Sequence, residues 1–116
     1  MRQALADIAV NGPLAQEFAH LEQVLRQTIS LLRECDAPFW VPVLDRGLAQ
    51  IANHHLAGAT YILGCFGGQD TFSDLVIATQ WQSSDPLRFN NANARLNHLR
   101  NELFTAADAI ASRRHW

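Results

Sequence analysis

The chain has 116 residues, 48% of them hydrophobic and 17% charged, with a formal net charge of -2. That length suits one domain, able to bury roughly two-thirds of its unfolded surface in a core, and the composition excludes a disordered chain. The slightly acidic balance argues against a nucleic-acid binder with a basic face, and the sequence lacks the run of about 18 apolar residues that a membrane span needs. All nine basic residues are arginine. A codon preference accounts for that, although Arg also suits interfaces better than Lys. The opening "MRQALADIAVNGP" has no long apolar stretch and carries Asp7, so no export signal is read and a cytoplasmic location is expected. Cys35 and Cys65 are then expected to be free, buried thiols.

Residues 1–12 read as an N-terminal arm or short helix. From Leu14, the apolar positions Leu14, Phe18, Leu21, Leu25, Ile29 and Leu32 recur at helical spacing, which predicts an amphipathic helix. Asn11 and Pro13 supply a cap and a first-turn proline, and Pro38 ends the helix near "CDAP". "FWVPVLDRGLAQIANHH" predicts a second helix with Pro42 in its first turn. Gly47 costs about 1 kcal/mol there against Ala, and is expected to permit close packing beside Trp40. "LAGATYILGCF" predicts a short third helix, with a strand as the rival reading. In "TFSDLVIATQW", Thr71 followed three residues later by Asp74 resembles a capping box, which predicts a fourth helix from Thr71 to about Gln80. Ser84 or Asp85 caps the last helix, and Pro86 opens it. Leu96, Leu99, Leu103, Ala107 and Ile110 carry it toward Arg113, Arg114 and His115, cations that suit a helix C-terminus. The expectation is an all-α protein: a single compact bundle of four to five helices.

The segment "LGCFGGQDTFSDLVI", residues 63–77, raises the question of a ligand cradle. Gly67 or Gly68 fits a helix stop at positive φ. Phe66 and Phe72 bracket the turn and are expected to pin both its ends into the core. Asp70 and Asp74 would repel an anion from the amides of the following helix. The reading favours a structural turn, with a recognition surface as the alternative. Together with "LLRECDAPFW", "IANHHLAG" and the Leu-periodic final helix, this segment resembles a small bacterial helical family with an FGG-x-x-(S/T)-F-(N/S)-D-L signature. The resemblance spans about residues 20–110 and rests mainly on residues 66–75. "NHHLAG" stands where the family pattern has an acidic Gly-Asp step, and Gln69-Asp70 where it has small residues. The resemblance implies no reaction, and it is loosely similar to toxin-immunity proteins.

Candidate chemistry is sparse. Adjacent His54 and His55 would point about 100° apart on a helix and so do not chelate one metal. Cys65 beside a histidine would make a nucleophilic pair, but Ile62, Leu63 and Phe66 around it predict a buried, inert thiol. Asp70 and Asp74 form a close carboxylate pair without a marked substrate pocket. Asn90, Asn91, Asn93 and Asn97 crowd the start of the last helix, where they either face solvent or line a polar groove for a partner. No phosphate loop, Ser-His-Asp set or Cys-x-x-Cys is present. No metal, cofactor or nucleic acid is expected. The reading is a non-enzymatic protein-binding module, most concretely an immunity protein that binds and neutralises a cognate bacterial toxin. Its expected contact residues are Asp70, Asp74, Asp85, Asn90 and Asn93. The rivals are a small hydrolase using His54, His55, Asp70 or Cys65, and a structural homo-oligomer.

Overall fold

The computed structural model describes residues 13–66 and 72–112. Among the described residues, four α-helices carry the fold: α1 (Pro13–Glu34), α2 (Val41–Ala52), α3 (Leu56–Leu63) and α4 (Pro86–Ala111). Three short 3-10 turns complete it, at Pro38–Trp40, Phe72–Asp74 and Thr79–Trp81. No strand occurs among the described residues, so "TYIL" is helical and the strand alternative falls. The helices form a ring: α1 packs on α2, α2 on α3, α3 on α4, and α4 back on α1. This is an all-α bundle, as the periodicity requires. Among the described residues, no helix is long and apolar enough to cross a membrane.

The predicted stripe of α1 is the buried one. Phe18, Leu21, Leu25, Ile29 and Leu32 all lie in the core, widened by Val24 and Leu31. Buried Thr28 satisfies its hydroxyl by donating to the Val24 carbonyl one turn earlier, at 2.8 Å. Asn11, the expected cap, lies outside the described residues. The helix stops as its terminal carbonyls find new donors. Ala37 N–H donates to Leu32 O and Asp36 N–H to Arg33 O, with Asp36 at φ 54°. That is a Schellman closure built on Asp rather than Gly. α2 ends the same way: His55 N–H donates to Gln50 O, His54 N–H to Ile51 O, and His54 sits at φ 58°.

Glycine sets the α2–α3 contact. A Cβ on Gly47 would run into the Ile62 side chain and lie 3.2 Å from Tyr61 Cδ2. A Cβ on Gly58 would lie 2.8 Å from Gln50 Cβ and 3.0 Å from Ile51 Cδ1. Each helix thus gives a glycine to receive the other's isoleucine. The partner of Gly47 is α3, not Trp40 as expected. Tyr61 closes the contact by donating its hydroxyl to the Val43 carbonyl at 3.0 Å.

The predicted fourth helix does not form. Over residues 72–81 the chain makes a 3-10 turn, a stretch without regular structure through Leu75–Ala78 with Ala78 at φ 61°, and a second 3-10 turn. Phe72, Ile77 and Ala78 are buried while Val76 stays 55% exposed. β-branched Val76, Ile77 and Thr79 weaken a helix here, and α4 supplies a better set of partners. Asn93 on α4 accepts from Ile77 N–H at 2.9 Å and donates to Ile77 O at 2.8 Å. Its carboxamide therefore pairs with one residue as a neighbouring strand would. Arg100, two turns further on, donates to Phe72 O at 3.0 Å and Leu75 O at 2.8 Å. Backbone groups that a helix would have satisfied internally are satisfied from outside. α4 itself starts as expected: Pro86 is in the first turn, and Asp85 Oδ1 accepts from Arg88 N–H at 3.2 Å. It ends at Ala111, before the cations at residues 113–115, which lie outside the described residues.

Candidate functional site

The five expected contact residues divide into three groups. Asp70 lies outside the described residues, as do Gly67, Gly68, Gln69 and Thr71, so the proposed glycine stop and the Thr71 half of the capping box lie there too. The ends of that stretch are held close: Phe72 N–H donates to Cys65 O at 3.0 Å, and the Phe66 and Phe72 rings meet edge to face at 5.6 Å. Asp74, Asp85 and Asn90 are exposed. Asn93 is half-buried, and its carboxamide is engaged with Ile77 and with Phe89 O at 2.9 Å. It shapes the surface from beneath.

The residues named for a hydrolase are not brought together. His54 and His55 precede α3, and Cys65 follows it. An eight-residue helix separates them, about 12 Å at 1.5 Å per residue. The His54 ring packs against Phe18 at 5.1 Å. Cys65 is buried and its thiol donates to Tyr61 O at 3.7 Å. Burial pushes the Cys65 thiol above its ordinary value, which holds it protonated and unreactive. Cys35 is likewise free and buried, its thiol raised by burial first and Glu34 second, against the pull of Arg88 and Arg95.

The outer face of α4 is the most distinctive surface. Asn90, Ala94, Asn97, Asn101, Phe104 and Asp108 are all exposed and follow one another at spacings of 4, 3, 4, 3 and 4, so they line one stripe. The charged side chains of the helix mostly stand to either side, and within the stripe Asp108 is the one ionisable group. Phe104 is 46% exposed and meets Phe66 edge to face at 5.5 Å. That contact ends a run of aromatic pairs, Phe39–Trp40–Phe72–Phe66–Phe104, each 5.5–5.8 Å apart. Asymmetric edge-to-face pairs of this kind fix ring positions.

A cavity flanks the stripe on each side. One, of about 440 Å³, lies between Phe66, Phe104, Ser73, Asn97 and Arg100. Arg100 there also donates to Asn97 Oδ1. Burial lowers the guanidinium's pKa, and the nearby charge of Asp74 opposes that. The other cavity, of about 710 Å³, opens between α1 and α4. At its edge Glu102 receives two imidazoles, His98 Nε2 at 3.0 Å and His20 Nε2 at 3.7 Å. Neither histidine was legible as a site from the sequence. The signal available was an i,i+4 His98–Glu102 pair, whose facing partner 78 residues earlier only the α1–α4 packing reveals. No group of three or more His, Cys, Asp or Glu side chains that could hold a metal ion occurs among the described residues.

The chain matches no protein-family model, no curated protein and no solved structure.

Proposed function

We propose that this protein is a non-enzymatic binding module whose outer α4 face docks onto another protein, most concretely as a cytoplasmic immunity protein that neutralises a cognate bacterial toxin. The observation that carries the reading is the stripe itself: a long exposed helix face, poor in charge, with a rigidly held aromatic ring between two clefts. Interface centres are depleted in charged residues and enriched in aromatics. Exposed Asn90 lies on the stripe, and Asp74 beside Arg100 borders it. Acidic groups at the rim would speed encounter with a basic partner. The toxin assignment itself rests on the resemblance at residues 66–75 and on the slight acidity of the chain.

The test is co-expression with the product of the adjacent gene, scored by co-purification and by rescue of growth. Phe104→Asp is expected to abolish both without changing the helical circular dichroism spectrum. A folded wild-type chain that neither forms a complex nor rescues growth would remove the immunity reading. A second reading, acid–base catalysis, is favoured by one observation: a carboxylate oriented against two imidazoles at the rim of the 710 Å³ cavity. A hydrolytic activity lost in both His98→Ala and Glu102→Gln would put it first.

A further inference from the structure

A third groove lies away from that stripe, where the end of α1 meets the first half of α4. It is a cavity of about 280 Å³, and Trp81, Arg88, Asn91, Arg95 and Glu34 face it. The guanidinium carbon of Arg88 lies over the Trp81 ring, 3.6 Å from its centroid. Arg95 stands two helical turns along α4, close enough for both arginines to act on the Cys35 thiol beneath. Neither arginine forms an ion pair with another described residue, although Glu34 lines the same groove.

We infer that this groove is a binding site for a small oxyanion, a phosphate or carboxylate group, held between Arg88 and Arg95. Stacking engages the face of a guanidinium and leaves its in-plane N–H donors open, in the fork that matches two oxygens of one anion. The indole beneath fixes Arg88, so less side-chain freedom is lost when the anion arrives. Asn91 adds a neutral carboxamide at the same groove. Two guanidinium charges face one Glu34 carboxylate and the C-terminal end of α1, whose dipole amounts to about half a negative charge. The groove therefore keeps a net positive charge although the whole chain is acidic. Its arginines lie on the flank of α4 away from Asn97 and Phe104, so this site is independent of the partner-binding reading.

The experiment titrates the full chain with inorganic phosphate and, separately, with succinate, against sodium chloride at matched ionic strength. The readout is the Trp81 indole N–H resonance, assigned by its disappearance in Trp81→Phe. A saturable shift with phosphate, succinate or both, absent with chloride, is the expected result, and which anion acts identifies the natural chemistry. Arg88→Gln and Arg95→Gln are each expected to weaken that binding about tenfold or more, the loss of one charge-assisted contact. Arg95 does not stack on the indole, so its variant separates anion binding from the packing of Trp81. A shift that follows ionic strength alone, or that survives both substitutions in proteins of unchanged melting temperature, would overturn the inference.

Discussion

The α2–α3 pair and the 72–81 segment are both apolar-rich stretches, and they reach opposite outcomes. In the helical pair, the backbone hydrogen bonds run within each helix, and glycine–isoleucine packing then brings the two elements together. In the 72–81 segment, the backbone is satisfied by Asn93 and Arg100, side chains 16 to 28 residues away in sequence. The first arrangement is autonomous at the level of the helix. The second exists only once α4 is in place. A segment held this way resembles an edge strand whose neighbour is a helix that lends two side chains.

The largest test of that contrast is Phe72→Ala. Phe72 is fully buried and contacts both Trp40 and Phe66, so its loss should destabilise the protein by about 3–5 kcal/mol. Chemical denaturation would measure it. A cost below about 1 kcal/mol would mean that the segment is a surface appendage rather than part of the core.

Asn93→Ala comes next. It leaves the Ile77 N–H and C=O without their partners, at an expected cost of about 1–3 kcal/mol. Hydrogen exchange distinguishes the two regions directly: the Ile77 amide should lose protection while amides of α1 and α2 keep theirs. Equal loss everywhere would show that the segment and the helices unfold as one unit. Arg100→Met should act in the same place, by freeing the carbonyls of Phe72 and Leu75.

The smallest stability effect has the opposite sign. Asp36 closes α1 at φ 54°, a conformation that costs a non-glycine residue about 1 kcal/mol. Asp36→Gly should therefore raise the melting temperature by a few degrees. An unchanged or lower value would show that the Asp36 side chain stabilises the turn in its own right. His54→Gly makes a weaker version of the test, since it also removes the ring contact with Phe18.

Thiol chemistry gives a check that needs no substitution. Burial raises both Cys35 and Cys65 above the ordinary thiol value. The neutral thiols thus favour the folded state fully below the unfolded pKa, and that contribution is lost as pH rises through the folded one. Stability should fall from about pH 9 upward, and a thiol-specific reagent at pH 8 should label neither cysteine until the protein is unfolded. Rapid labelling of either one in the native protein would contradict its burial.

The sequence by itself determined α1, α2 and α4, because a 3.6-residue apolar repeat has one economical solution: a helix with its stripe turned inward; for α3 it left a strand as the rival. It also narrowed the last helix cap to Ser84 or Asp85 and gave the proline starts, which act within four residues of themselves. The burial of Cys65 followed from its apolar neighbours Ile62, Leu63 and Phe66. What the sequence could not hold was the state of residues 72–81. Thr71-x-x-Asp74 has the local pattern of a helix start, yet the chain from Phe72 onward is decided by Asn93 and Arg100, which no local window contains. The same limit applies to the surface. Asn93 was conspicuous as one of a cluster of asparagines, but only the packed structure separates it from Asn90 and Asn97 on the exposed face. His20 with Glu102, and Arg88 with Trp81, are likewise pairs made by packing. Periodicity is a property of neighbours along the chain and survives in the sequence. A site is a property of neighbours in space, and here it appears only when α4 closes the ring against α1.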